Sequence, residues 1–95
     1  MTQRPDNLIE ALKLTITETY NCQALYQKSV LVEERIGNQI WVGPVEVFEL
    51  QGHPDAHQAY GWWEEKYQTG LVVVLAFTDD TDAGKAIQAY LMSQE

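Results

Sequence analysis

The chain has few of the residues that mark secreted or membrane proteins. Cys22 is the only cysteine among 95 residues, so no disulfide can form within the chain, as is typical of a reducing compartment. The longest apolar run, Leu71 to Phe77, is far shorter than the roughly 20 residues that cross a bilayer. The first ten residues lack the cationic and apolar pattern of a signal peptide. We therefore expect a cytoplasmic protein with no membrane association, in which Cys22 is a small buried hydrophobe.

Basic residues are also scarce. Six Lys and Arg stand against 14 Asp and Glu, which gives a formal net charge of −8. A field of that sign repels phosphates, so nucleic acids and anionic membranes are unfavourable partners. The hydrophobic fraction of 45% and the charged fraction of 21% are ordinary for a globular protein. We expect a single domain over residues 1–95, with a core that needs neither disulfides nor a metal.

Motifs that carry well-known chemistry are missing. The sequence contains no G-x-S-x-G, phosphate-binding glycine loop, C-x-x-C pair or H-E-x-x-H. His53 and His57 have the spacing of two metal ligands on a helix face, but Pro54 places His53 in a turn. The run from Asp79 to Asp82 lacks the glycine and distal glutamate of an EF-hand, and helix capping accounts for it. We expect no metal site and no cofactor.

The first half of the chain predicts one helix and two strands. Pro5-Asp6-Asn7 is a helix-start signal, and the helix should end near Asn21. Its apolar residues recur at three- and four-residue steps: Leu8, Ile9, Leu12, Ile16 and Tyr20. A strand from Ala24 to Ile36 and a second from Ile40 to Leu50 flank a Gly37-Asn38 turn. Because proline cannot donate to a ladder, Gly43-Pro44 predicts a bulge or an edge position.

The second half predicts two more strands and a helix. Residues 54–66 fit either a strand or a helix beginning at Pro54, and Gly61 and Trp62-Trp63 favour the strand. A strand at 71–78 and a helix from Ala83 to Ser93 follow. The order α-β-β-β-β-α predicts the α+β class, most simply a four-stranded antiparallel meander with both helices on one face. The alternative order is α-β-β-α-β-α.

A resemblance adds a modest expectation. The stretch from Val45 to Pro54, VEVFELQGHP, followed by Ala56, Tyr60 and Trp62, resembles a pattern in small uncharacterised bacterial proteins of similar length. Some of those proteins resemble products of mobile, integron-type gene cassettes. The resemblance spans about half to two-thirds of the chain. It implies a small α+β protein with no established activity, and it transfers no catalytic residue to this sequence.

The strands are apolar on both faces. Along the last strand, Leu71, Val73, Leu75 and Phe77 point one way, while Val72, Val74 and Ala76 point the other. Continuous apolar runs mark strands that are covered on both faces. With both helices on one face, the second face would be exposed. That face would form a homodimer or a groove for a ligand or partner protein; alternatively, the helices cover both faces and no site is left.

The leading functional hypothesis is a non-enzymatic binding or assembly module. It would form a homodimer through an apolar sheet face and hold a small apolar ligand or a protein partner at its aromatics: Trp41, Phe48, Tyr60, and Trp62 or Trp63. The second hypothesis is a small enzyme using His53 or His57 as acid or base beside a carboxylate. The third is an acidic inhibitor that imitates DNA through an array of carboxylates: Glu33, Glu34, Glu64, Glu65, Asp79, Asp80 and Asp82. The simpler interpretation is that the glutamates are solvated strand ends and the aspartates cap a helix.

Overall fold

Two helices flank a four-stranded antiparallel sheet in the computed structural model, which describes residues 3–78 and 80–94. Asp79, predicted to lie in a turn and in the acidic array, is outside the described residues. The elements in chain order are α1 (Leu8–Tyr20), β1 (Gln23–Ile36), β2 (Gln39–Gln51), β3 (Gln58–Glu64), β4 (Gly70–Ala76) and α2 (Ala83–Ser93). This order confirms the predicted α+β class and the meander β1-β2-β3-β4. Neither described helix has the length and apolar character needed to cross a membrane.

The helix ends follow from side-chain capping. Asn7 Oδ1 accepts a hydrogen bond from the Glu10 amide at 3.1 Å, which satisfies one of the free donors of the first turn of α1. Asn21 ends α1 in the left-handed conformation, with φ 54°, and its N–H donates to the Thr17 carbonyl. Asp82 caps α2 by accepting from the Lys85 amide at 2.8 Å. The predicted boundaries of both helices are thereby confirmed.

The strand register decides whether residues 54–66 contain a strand or a helix, and whether Gly43-Pro44 is a bulge or an edge position. Residues 58–64 form β3 and pair with β2 and β4, so the helix alternative for this segment is wrong. The β1–β2 hairpin has its bulge in β1, between Tyr26 and Lys28, and its register is continuous at Pro44. Pairing of β2 with β3 extends only from Glu46 to Glu49. Pro44 therefore has no strand neighbour on its second side, which is the edge position that its missing N–H requires.

The two helices lie on opposite faces of the sheet, so the prediction of both on one face is wrong. Gly61 and Trp62 are neighbours in β3 and point in opposite directions. A Cβ on Gly61 would stand 2.8 Å from Leu12 Cδ2 of α1, whereas the Trp62 ring lies 5.4 Å from the ring of Tyr90 in α2. Two cores result. The α2-side core contains Val32, Trp41, Val45, Val47, Tyr60, Trp62, Val72, Ala76, Ala83, Ala86, Ile87, Tyr90 and Leu91, and the α1-side core contains Leu12, Ile16, Cys22, Ala24, Phe48, Leu50, Ala56 and Ala59.

The connectivity allows the two helices to lie on opposite faces of the sheet. Helix α1 precedes the first strand and α2 follows the last, so the meander ties neither helix to a particular face. Because the strands carry apolar side chains on both faces, helices on opposite faces bury more apolar surface than two helices on one face. The open apolar face predicted for the central strands is therefore covered.

One part of the sheet extends beyond α1. The far end of the β1–β2 hairpin exposes Leu31 (81%) and Val42 (62%). Their chain neighbours Val32 and Trp41 belong to the α2-side core, so Leu31 and Val42 point to the α1 side of the sheet. Pro44, which pairs with Leu31, is exposed beside them. The hairpin end thus carries the two most exposed apolar side chains among the described residues of the strands.

The contact between Gly61 and Leu12 predicts a measurable coupling. We expect Gly61→Ala to destabilise the chain by about 1–3 kcal/mol, because the new methyl group meets the fully buried Leu12 side chain, which has to shift. The same substitution should cost less in a Leu12→Ala background, since the removed side chain leaves room for it. Urea unfolding of the native chain, the two single variants and the double variant measures the free energies of unfolding. If the losses of the two single variants add up in the double variant, the close contact between Gly61 and Leu12 is contradicted.

Candidate functional site

Most of the aromatic residues predicted to bind a ligand are core residues. Trp41, Tyr60 and Trp62 lie in the α2-side core, and Phe48 is fully buried in the α1-side core. Trp63 alone of the five is partly exposed, because it points to the α1 side near the end of β3. A docking surface requires exposed side chains, so Trp63 is the predicted residue that remains suited to one.

Glu64 is the most unusual side chain in the interior. It is 2% exposed at the end of β3. Its Oε1 accepts from Trp41 Nε1 and from Trp62 Nε1, both at 2.9 Å. Its Oε2 accepts from the amides of Lys66 and Tyr67, at 3.2 and 3.4 Å. A buried carboxylate is stable only when its oxygens are hydrogen-bonded, and here four donors meet that requirement.

This arrangement gives Glu64 a structural role. A carboxylate offers about four lone-pair positions, and four donors already use them. The side chain orients two indoles and fixes the turn after β3, and it has no lone pair left to act as a base. The prediction that Glu64 is a solvated strand end is therefore wrong. The signal was present, since strand alternation places Glu64 on the same face as Trp62 and Tyr60.

The histidines have local roles in the turn between β2 and β3. His53 Nδ1 accepts from the amides of Asp55 and Ala56, at 3.1 and 2.9 Å. The exposed His57 contributes its carbonyl, which accepts from the Leu50 amide at 2.8 Å. Within residues 3–78 and 80–94 no histidine is hydrogen-bonded to a carboxylate. The same residues contain no group of three side chains suited to hold a metal ion.

Several members of the predicted acidic array serve the fold. Glu34 Oε1 accepts from Gln88 Nε2 at 2.7 Å, which ties β1 to α2. Asp82 caps α2, and Glu64 is buried. The Thr78 hydroxyl donates to Asp80 Oδ1, and this hydrogen bond lowers the pKa of that carboxyl. Among the described members of the array, Glu33, Glu65 and Asp80 are exposed, and none of their side chains is hydrogen-bonded to a helix.

Two of the surface depressions along the sheet are lined by residues predicted to bind a ligand. A groove of about 600 Å³ runs along β1 beside the start of α2, and its rim carries both Lys28 and Asp82. The Tyr60 hydroxyl lies on the groove wall and donates to the Thr81 carbonyl at 2.9 Å. A smaller cleft of about 210 Å³ lies between the start of α1 and the beginning of β2, with Trp63 in its wall.

Tyr90 carries a buried hydroxyl with no partner among the described residues, and the side chain is 7% exposed. Burial raises its pKa to about 12, with further contributions from Glu64 and Tyr67. The folded chain therefore keeps the Tyr90 proton at a pH where the unfolded chain, with a pKa of 10.0, releases it. Stability must fall as pH rises from about 10 to about 12.

We expect Glu64→Ala to cost about 3–5 kcal/mol, because it leaves two buried indole N–H groups and two amides without an acceptor. Glu64→Gln should cost less, since its amide oxygen still accepts from the indoles. Glu65→Ala is the matched control: this exposed neighbour accepts from Trp63 Nε1 at the surface. Urea unfolding followed by tryptophan fluorescence measures the loss of stability in each of the three variants. Similar losses for Glu64→Ala and Glu65→Ala would contradict the assigned role.

A second pair of substitutions tests the Tyr90 hydroxyl. Tyr90→Phe removes a group that has no hydrogen-bond partner among the described residues, so we expect stability at neutral pH to be unchanged or raised by up to about 1 kcal/mol. The loss of stability between pH 10 and 12 should become smaller. Tyr60→Phe, which removes the hydrogen bond to Thr81, should instead destabilise the chain at neutral pH. A destabilised Tyr90→Phe chain would show that the hydroxyl has a partner.

Comparison with known proteins gives no identification. No family model, no curated protein and no solved structure matches this chain. The resemblance to small bacterial cassette proteins therefore stays a prediction. The function has to be argued from the surface of the molecule itself.

Proposed function

We propose that this chain is a non-enzymatic assembly module that forms a homodimer by pairing the β4 edges of two copies. The observation that carries the proposal is the composition of β4. It is the last strand in the sheet, and its sequence GLVVVLA contains no charged residue and no proline. Natural proteins protect exposed edges against pairing with charges, prolines or bulges. Strand β4 has none of these protections.

The opposite edge is protected, and the contrast supports the proposal. Strand β1 carries Lys28, Glu33, Glu34 and Arg35 along its length. Its register is also broken by the bulge between Tyr26 and Lys28. Both features hinder the addition of another strand. Of the two edges of one sheet, β4 alone is therefore open to pairing.

Side chains on both faces of β4 are incompletely covered. Leu71, Val73 and Leu75 point to the α1 side, and Val74 points to the α2 side. All four are intermediate in exposure, although each contacts a core. A second sheet joined at this edge would cover them further. Apolar burial would then stabilise the dimer together with the ladder of main-chain hydrogen bonds.

A two-fold axis suits this strand. Antiparallel pairing about Val73 would place Leu71 opposite Leu75 of the second copy, and Val73 opposite its own counterpart. No like charges face each other in this register, which matters for a chain of net charge −8. The result is one continuous eight-stranded sheet with isologous contacts, the commonest symmetry of soluble assemblies.

The proposal keeps the predicted homodimer and changes its surface from a sheet face to a sheet edge. Each face of the sheet packs against one helix, whereas the β4 edge has no neighbouring strand within the described residues. Neither the acid–base hypothesis nor the acidic-inhibitor hypothesis has a specific contact in its favour. Both stay predictions.

Matched lysine substitutions at the two edges test the dimer. Light scattering of the native chain should give a mass twice the 10.8 kDa of one chain. We expect Val73→Lys to give a folded monomer, because the substitution places two like charges opposite each other across the axis. Val30→Lys, at a half-buried valine of the protected edge, should stay dimeric.

Two results would contradict the proposal. A native chain that stays monomeric up to millimolar concentration would remove the homodimer. A dimer that Val73→Lys leaves intact and Val30→Lys dissociates would assign the interface to β1. Circular dichroism and the unfolding midpoint establish that each variant is folded before its mass is interpreted.

A further inference from the structure

The groove between β1 and the start of α2 has the size of a ligand site. Its volume of about 600 Å³ falls within the roughly 300–1,000 Å³ of pockets that hold small molecules. Strand alternation turns the side chains of Lys28, Val30, Val32 and Glu34 to the α2 side of β1, where they face the groove. Val30 is half-buried, so its side chain still offers apolar surface to a ligand.

Two carboxylates meet where the groove reaches α2. A Cβ on Gly84 would stand 2.6 Å from Glu34 Oε2 and 3.4 Å from Asp82 Oδ1, so both oxygens border one small space. That space is open because residue 84 has no side chain. Glu34 is half-buried, and partial burial strengthens its attraction for an opposite charge relative to a fully solvated carboxylate. The groove therefore has an apolar middle and a negatively charged end.

Both carboxylates keep free acceptor positions. Glu34 Oε1 accepts from Gln88 Nε2 at 2.7 Å, and no described donor bonds its Oε2. Asp82 Oδ1 accepts from the Lys85 amide, which leaves Oδ2 without a donor among the described residues. The Lys85 ammonium is directed to the Asp80 carbonyl, at 2.7 Å, and not to either carboxylate. Neither Glu34 nor Asp82 forms an ion pair with a described residue.

The cation on the groove floor lies too far away to neutralise this end. Lys28 stands six residues before Glu34 on the same strand, a separation of about 20 Å at roughly 3.3 Å per residue. That separation is about twice the Debye length at 0.1 M salt. Glu33 also borders the groove and adds negative charge beside Glu34. The end of the groove at α2 therefore favours a cation.

We propose that this groove binds a small organic amine with an aliphatic or aromatic body. The ammonium lies between Glu34 Oε2 and Asp82, in the space at Gly84, where charge-assisted hydrogen bonds to the carboxylates orient it. The apolar body packs along Val30 on the groove floor. This function goes beyond assembly, and the groove does not involve the unpaired edge of β4.

Titration with matched probes tests the proposal. In two-dimensional NMR, phenethylamine should shift the amide signals of Val30 and Gly84. 2-Phenylethanol, which has the same ring and no charge, should bind several-fold more weakly. 3-Phenylpropionate, which reverses the charge, should leave both signals in place. Raising the salt concentration should weaken phenethylamine binding and leave 2-phenylethanol binding unchanged, because salt screens exposed charges.

Charge-removing variants locate the site. Glu34→Gln and Asp82→Asn should each weaken phenethylamine binding by about twofold to fivefold, the range of an exposed ion pair. Both keep the contacts of the fold, since glutamine still accepts from Gln88 and asparagine caps a helix as well as aspartate does. Gly84→Ala should also weaken binding, because its methyl group displaces the Glu34 carboxylate. Glu18→Gln is the matched control: it removes the same charge at an exposed position of α1 and should leave the affinity unchanged.

The proposal is overturned by equal affinity for phenethylamine and 2-phenylethanol, by shifts confined to residues outside the groove, or by equal losses in Glu34→Gln and Glu18→Gln. The lysine variants of the dimer test separate the two proposals. Val30→Lys should stay dimeric and bind phenethylamine more weakly, since it places a like charge on the groove floor. Val73→Lys should be monomeric and bind phenethylamine normally. A failure of this site and a failure of the dimer are therefore separate results.

Discussion

Apolar side chains on both faces of a short sheet are the constraint on which the rest of the molecule depends. A sheet of this kind is stable in water only when both faces are covered. The chain has one helix before the sheet and one after it, and each helix covers one face. The glycine at 61 lets α1 approach β3 closely, and Trp62 on the opposite side packs against α2.

Covering both faces determines where the chain can interact. What remains are the two edges, the exposed end of the hairpin and the clefts at the margins of the helices. Charged residues and a bulge protect the β1 edge against pairing with another strand, while β4 has no charged residue and no proline. We therefore place the proposed dimer at the β4 edge of the sheet.

Local chemistry was readable from the sequence, and long-range placement was not. Capping side chains marked both helices, and Pro44 marked a position without a second strand neighbour. Nothing local records which face α1 covers, because that depends on contacts between residues as distant in the chain as Leu12 and Gly61. Glu64 combines both cases, since strand alternation places it on the same face as its neighbour Trp62, but its second indole donor, Trp41, meets it only in the folded sheet. The aromatic content identified important residues, but four of the five are core residues.

The most direct measurement of the central claim is amide hydrogen exchange along β4 of the native chain at low and high protein concentration. An open edge leaves alternate amides of Gly70–Ala76 exposed to water, whereas pairing with a second copy protects them. The account predicts that these amides become protected as concentration rises, while the outer amides of β1 do not change. Fast exchange of the alternate β4 amides at every concentration would contradict it.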